Sequence, residues 1–143
     1  MIQRIQSIFL LLAAAFFFLE FAFPFFSSDS YSQGFFTDYV YNIQDHPALL
    51  TLTIAAGIIS LIAIVMYKNR SLQTLLVYLS IILAITLTAT MVILLRSNTP
   101  EFLTHTTVFI GSFLPFLAII FLGLSLRNIK KDDKLVKSMD RLR

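Results

Sequence analysis

The sequence predicts an all-α membrane protein, a four-transmembrane-helix bundle with both termini cytoplasmic and a short cytoplasmic C-terminal amphipathic helix. Three observations carry that expectation. The 143 residues are 57% hydrophobic and 13% charged, with a mean hydropathy of +0.83, which is outside the usage of soluble domains. The apolar residues gather into four long runs. Seven of the eleven Lys and Arg residues lie in residues 127–143, directly behind the last run.

The first run, residues 5–26, is interrupted only by Glu20. Arg4 before it and Ala13, Ala14 and Ala15 within it imitate a signal peptide. Cleavage there would leave an apolar stretch of only residues 8–12, shorter than the usual ~7–15 residues, so the run reads as an uncleaved signal anchor. Three uncharged windows follow and give spans over approximately residues 47–67, 72–95 and 104–126. Each supplies the ~20 residues needed to cross a hydrocarbon layer ~30 Å thick at ~1.5 Å per residue. Residues 1–143 therefore form one membrane domain with an outer loop at 27–46 and a tail at 127–143, and no other segment is long enough to bury a soluble core. Cysteine is absent. That excludes disulfides, thiolate metal sites and cysteine nucleophiles.

Orientation follows from the positive charges. Arg4, Lys68, Arg70 and the seven tail cations fall on one side, while the other side holds Arg96 alone together with Asp29, Asp38 and Asp45. Cytoplasmic loops accumulate Lys and Arg, which predicts a multi-pass protein that is N-in and C-in. The net charge of +3 is thus a topology signal and no sign of DNA binding. The aromatics Phe25, Phe26, Tyr31, Phe35, Phe36, Tyr39 and Tyr41 belong at the outer interface, which amphipathic rings favour. Residues 38–43 alternate loosely enough for a short strand, with Gly34 turning the chain before it.

Ser80, Ala84 and Thr88 recur every four residues, as do Ala56 and Ser60, and small residues at that spacing let helices approach closely. Packing within one chain is the simpler reading than a dimer interface. Pro115, placed inside the fourth span between Gly111 and Gly123, is expected to kink it by removing a backbone donor.

Chemistry is sparse. Glu20 is the only formal charge inside a predicted span, about 9 Å below the outer helix end if the helix runs to Phe26. One reading makes it an intramembrane polar site facing the bundle near Arg96 or Thr86, Thr88 and Thr90; the plainer one is a carboxyl that is protonated or turned up to interfacial donors and water. His46, His105, Asp38, Asp45 and Glu101 have no spacing that suggests a metal site. Ser112 and His105 sit about 10 Å apart on one helix face, too far for a nucleophile and its base. With no G-x-S-x-G and no Gly-rich phosphate loop, the chain is expected to be non-enzymatic, with no catalytic, cofactor-binding or metal residues and no cofactor.

The tail sorts on a helical wheel. With Ile129 at zero, Leu135, Val136, Met139 and Leu142 fall between about 220° and 340°, and Arg127, Lys130, Lys131, Lys134, Lys137 and Arg141 between about 80° and 200°. Asp132, near 300°, breaks the apolar side. A break after Lys131, with Asp132 capping a separate short helix, would resolve the conflict. Asp132, Lys134, Leu135, Lys137, Met139, Arg141, Leu142 and Arg143 are accordingly the candidate contacts for a partner or a lipid, with simple topogenic anchoring the plainer alternative.

The opening MIQRIQSIFLLLA and the closing KDDKLVKSMDRLR resemble the two ends of an uncharacterised family, domain of unknown function 4293, short integral membrane proteins of Bacteroidota. The resemblance covers the chain end to end in length and span layout. It implies a four-helix inner-membrane protein with no established activity and no catalytic residues to carry over.

Two functions follow as expectations. The first is an accessory or assembly subunit of a larger inner-membrane complex, whose tail engages a protein partner, anionic lipid or ribosome. The second is a small transporter or channel using Glu20 and a Pro115-kinked fourth helix. The first is favoured because the spans lack the several polar groups that a substrate path usually needs.

Overall fold

The computed structural model describes residues 2–28, 40–98 and 106–140. Among the described residues the α-helices are α1 (Ile2–Leu19), α2 (Pro47–Val65), α3 (Arg70–Asn98) and α4 (Leu114–Asp140). Each packs on its chain neighbours and α1 closes the ring against α4. At one end lies a three-stranded antiparallel sheet of β1 (Phe26–Ser28), β2 (Val40–Tyr41) and β3 (Thr106–Val108), in the order β2-β1-β3. The other end gathers the start of α1, the α2–α3 turn and the end of α4.

The buried seams show why this sequence makes a ring. Gln6, Leu10, Ala13 and Phe17 on α1, Leu49, Thr53, Ala56, Ser60 and Ala63 on α2, and Gln73, Val77, Ser80, Ala84, Leu87 and Met91 on α3 are all buried. So are Ala118, Leu122, Ser125 and Ile129 on α4. The spacing alternates between four and three residues, the rhythm of near-parallel helices in left-handed packing. The seams are small and partly polar, whereas Ile58, Leu61, Ile82, Ile85, Ile93, Phe116 and Ile120 face outward. In water that distribution would be reversed. Three helical segments, Pro47–Lys68, Arg70–Ser97 and Ile110–Val136, are long and apolar enough to cross a membrane, and Ile5–Leu19 is a shorter apolar helix.

Polar seam residues join helices. Ser60 Oγ donates to Ala56 O at 2.8 Å and to Ser80 Oγ at 3.3 Å, and Ser125 Oγ donates to Gln6 O at 3.4 Å. Gln73 Nε2 donates to Ala63 O at 3.0 Å. The small-residue stripes thus face each other within one chain, as expected, though Thr88 leaves the seam because the spacing shortens from four to three at Leu87. Thr86, Thr88 and Thr90 each donate to the carbonyl four residues back, 2.8–2.9 Å away, which satisfies their hydroxyls in an apolar surround.

Local chemistry sets the helix limits, and two of them differ from expectation. The first helix stops at Leu19, not near residue 26. Pro24 lacks an N–H and disfavours helix at the residue before it, so the chain tightens through Phe21 N to Phe18 O (3.3 Å) and Ala22 N to Leu19 O (2.9 Å) and enters β1. The fourth span does not begin as helix near residue 104 either. β3 and a 3-10 turn (Ile110–Phe113) precede α4, and Pro115 is the second residue of α4. The first turn needs no backbone donor there, so Pro115 starts the helix instead of kinking it.

Two helix starts are capped by side chains that the sequence did not single out for that role. His46 caps α2, its Nδ1 accepting from Ala48 N at 3.2 Å, with Pro47 in the first turn. Asn69 caps α3, Oδ1 accepting from Leu72 N at 3.2 Å. The strand expected within residues 38–43 is Val40–Tyr41. Gly34, Tyr31, Phe35, Phe36, Tyr39, Asp38, Glu101 and His105 lie outside the described residues.

The sheet end is tied to the helices through Phe25. Its N–H donates to Tyr41 O at 2.9 Å, and its carbonyl accepts from Phe109 N at 3.0 Å and from Ser112 Oγ at 2.6 Å. Ser112 is therefore a structural hydroxyl. Phe25, Phe26 and Tyr41 are buried against one another, with centroids 6.2 and 6.5 Å from the Tyr41 ring, so these three rings form one packed cluster at the sheet end. Burial, and next the nearby Asp45, push the Tyr41 hydroxyl above its usual range.

Candidate functional site

The tail is not a separate helix. α4 runs unbroken from Leu114 to Asp140, and Asp132 caps nothing. It continues the buried rhythm of Ala118, Leu122, Ser125 and Ile129, which brings its carboxylate to Arg70 at the start of α3. Arg70 Nη2 lies 3.0 Å from Asp132 Oδ2, and Arg70 Nη1 donates to Asp132 O at 3.2 Å. The side chains are 24% and 15% exposed, so the pair is shielded from solvent screening more than a surface pair is. The wheel conflict at Asp132 is resolved by an ion pair inward, and Arg70 is a structural partner as well as a topology charge.

A second tie lies two residues earlier on α4. Lys130 Nζ donates to Tyr78 Oη on α3 and sits over the Tyr78 ring, 5.1 Å from its centroid. Arg70 and Tyr78 together hold α4 at the basic end, and the last turns project past the ring. There Leu135 is 45% exposed and Val136 38% exposed. Val136 falls four residues after Asp132 on the same seam, where no neighbouring helix among the described residues covers it fully. Lys134 is exposed on the opposite side. Lys137 and Met139 belong to α4 but their side chains lie outside the described residues, as do Arg141, Leu142 and Arg143 entirely.

Glu20 is elsewhere. It follows α1 in the turn at the sheet end and is 1% exposed. It keeps the four-three rhythm of Leu10, Ala13 and Phe17, so it points into the ring. Thr53 Oγ1 donates to Glu20 Oε2 at 3.0 Å, and Oε1 has no hydrogen-bond partner among the described residues. Neither Arg96 nor Thr86, Thr88 or Thr90 bonds to it. Thr53, the partner that is present, sits on the α2 seam between Leu49 and Ala56; the shared seam spacing was the signal that could have found it.

The model of the family described as domain of unknown function (DUF4293) matches residues 2–142. The chain belongs to this family. No curated protein and no solved structure matches the chain. Among the described residues, the features of this DUF4293 chain that invite chemistry are thus the braced basic end of α4 and the buried carboxyl of Glu20 at the sheet end.

Proposed function

We propose that this DUF4293 chain is a non-enzymatic accessory or assembly subunit of a bacterial inner-membrane complex, crossing the bilayer four times with both termini cytoplasmic. The carrying observation is the braced projection of α4, on which Leu135 and Val136 stand exposed beyond Asp132. A helix needed only for its charge has no use for an apolar seam that outlasts its neighbours. A helix that docks on a protein does. The place of α1 in the ring supports a fourth crossing beside the three longer apolar helices: it packs between α2 and α4, and its 18 residues extend about 27 Å. Ten cations at one end supply the positive-inside bias. The transporter alternative is weaker, because the seam hydroxyls of Thr53, Ser60 and Ser125 are engaged in contacts between elements, and because Pro115 opens no kink.

The test is mild-detergent purification of the native-level protein and of a Leu135→Asn/Val136→Asn variant. The expected outcome is a stoichiometric protein partner with the parent chain and its loss from a variant that still elutes as a folded monomer or oligomer. The same composition in both preparations, with no second protein, would sink the subunit reading.

A further inference from the structure

The face of α4 opposite Leu135 and Val136 carries a groove of about 490 Å³, lined by Gly123, Leu126, Arg127, Lys130, Lys131 and Lys134. Its chemistry divides along its length. Gly123 is exposed, and a methyl there would meet no other atom within 4 Å, so the notch beside Leu126 is open and apolar. From Gly123 to Arg127 the helix rises about 6 Å, and from Gly123 to Lys134 about 16 Å. Arg127 therefore follows the apolar notch at about the distance that separates the first acyl carbons of a phospholipid from its phosphate, and Lys130, Lys131 and Lys134 extend the basic lining beyond it. Arg70 takes up Asp132, and no ion pair between described residues engages Arg127, Lys131 or Lys134.

We infer that this groove is a binding site for an anionic phospholipid, its acyl chain along Gly123 and Leu126 and its phosphate among Arg127, Lys130, Lys131 and Lys134. Charge complementarity selects the anionic headgroup. The apolar half selects a lipid over an acidic peptide or a free nucleotide, neither of which has a use for a notch inside a membrane-crossing segment. Lys130, held over Tyr78, gives the site a fixed cation where a mobile lysine would lose side-chain freedom on binding. The inference rests on the bilayer crossing proposed above but not on the protein partner, since neither Leu135 nor Val136 lines the groove.

Native mass spectrometry of the full chain, exchanged into detergent with equal amounts of phosphatidylglycerol and phosphatidylcholine of identical acyl chains, tests it. The parent protein is expected to retain phosphatidylglycerol in preference. Lys131→Gln/Lys134→Gln is expected to lower that retention by at least about fivefold, the effect of roughly one surface cation. Arg4→Gln/Lys68→Gln, which removes the same charge from the same end, is expected to leave it unchanged. Gly123→Leu, which removes no charge, should lower it as well by filling the notch. Equal retention of the two lipids, equal loss in the Arg4→Gln/Lys68→Gln control, or full retention in Gly123→Leu would each overturn the site. A failure of the crossing itself registers separately, as labelling of position 138 from outside.

Discussion

Close approach at Gly111 joins the sheet end to the helices. A Cβ there would lie 2.6 Å from the Phe23 carbonyl oxygen and closer still to that of Pro24. Both are backbone atoms, held by the turn that Pro24 imposes and by the bonds of Phe25, so neither yields cheaply. At Gly57 the neighbour is the Phe18 ring, 2.9 Å away, on a side chain 40% exposed and free to turn. Gly111→Ala should therefore cost about 1–3 kcal/mol and lower the melting temperature of the purified protein by several degrees, while Gly57→Ala changes it less. Equal melting of Gly111→Ala and the parent chain would refute the packing described. Nothing in the sequence marks Gly111 above Gly57, because its neighbour is brought from residues 23–24 by the fold. Glu20 was legible as the one charge within an apolar run. Its partner Thr53 was legible only through the four-three spacing of the seam, because uniform apolarity otherwise hides which side of a helix faces inward.

The elements were legible where a bilayer alone dictates them and illegible where distant chain meets. α2 and α3 lie close to their expected limits, since length and apolarity decide both. The ends of α1 and α4 differ because residues 26–28 pair with 40–41 and 106–108, and no local periodicity announces a strand pair formed across some eighty residues. Pro24 and Pro115 were the usable signals, hidden inside runs whose hydropathy stayed high. Asp132 is instructive in the same way. Its position on the apolar side of the wheel was visible, and its Arg70 partner was not. Asp132→Asn or Arg70→Gln should each destabilise the bundle by about 1–2 kcal/mol, between the ~0.2–1 of an exposed pair and the ~3–5 of a buried one. The exchange Arg70→Asp/Asp132→Arg should recover part of the loss in thermal melts. Purely additive losses would deny the coupling.

At the scale of the molecule, small and polar seams face inward and large aliphatic residues face outward among the described residues, the distribution a bilayer favours, and the proposed direction of crossing would account for the seven Lys and Arg of residues 127–143. The proposed partner contact and lipid groove both depend on that direction, since each needs the end of α4 at the cytoplasmic surface. The absence of cysteine makes the decisive measurement free of background labelling. Thr107→Cys, exposed at the sheet end, and Ser138→Cys, exposed at the basic end, are treated separately with a membrane-impermeant maleimide in cells whose outer membrane has been opened. Labelling of position 107 in intact spheroplasts, and of position 138 only after the inner membrane is lysed, is the predicted result. The reverse pattern, or both positions labelled before lysis, would contradict it.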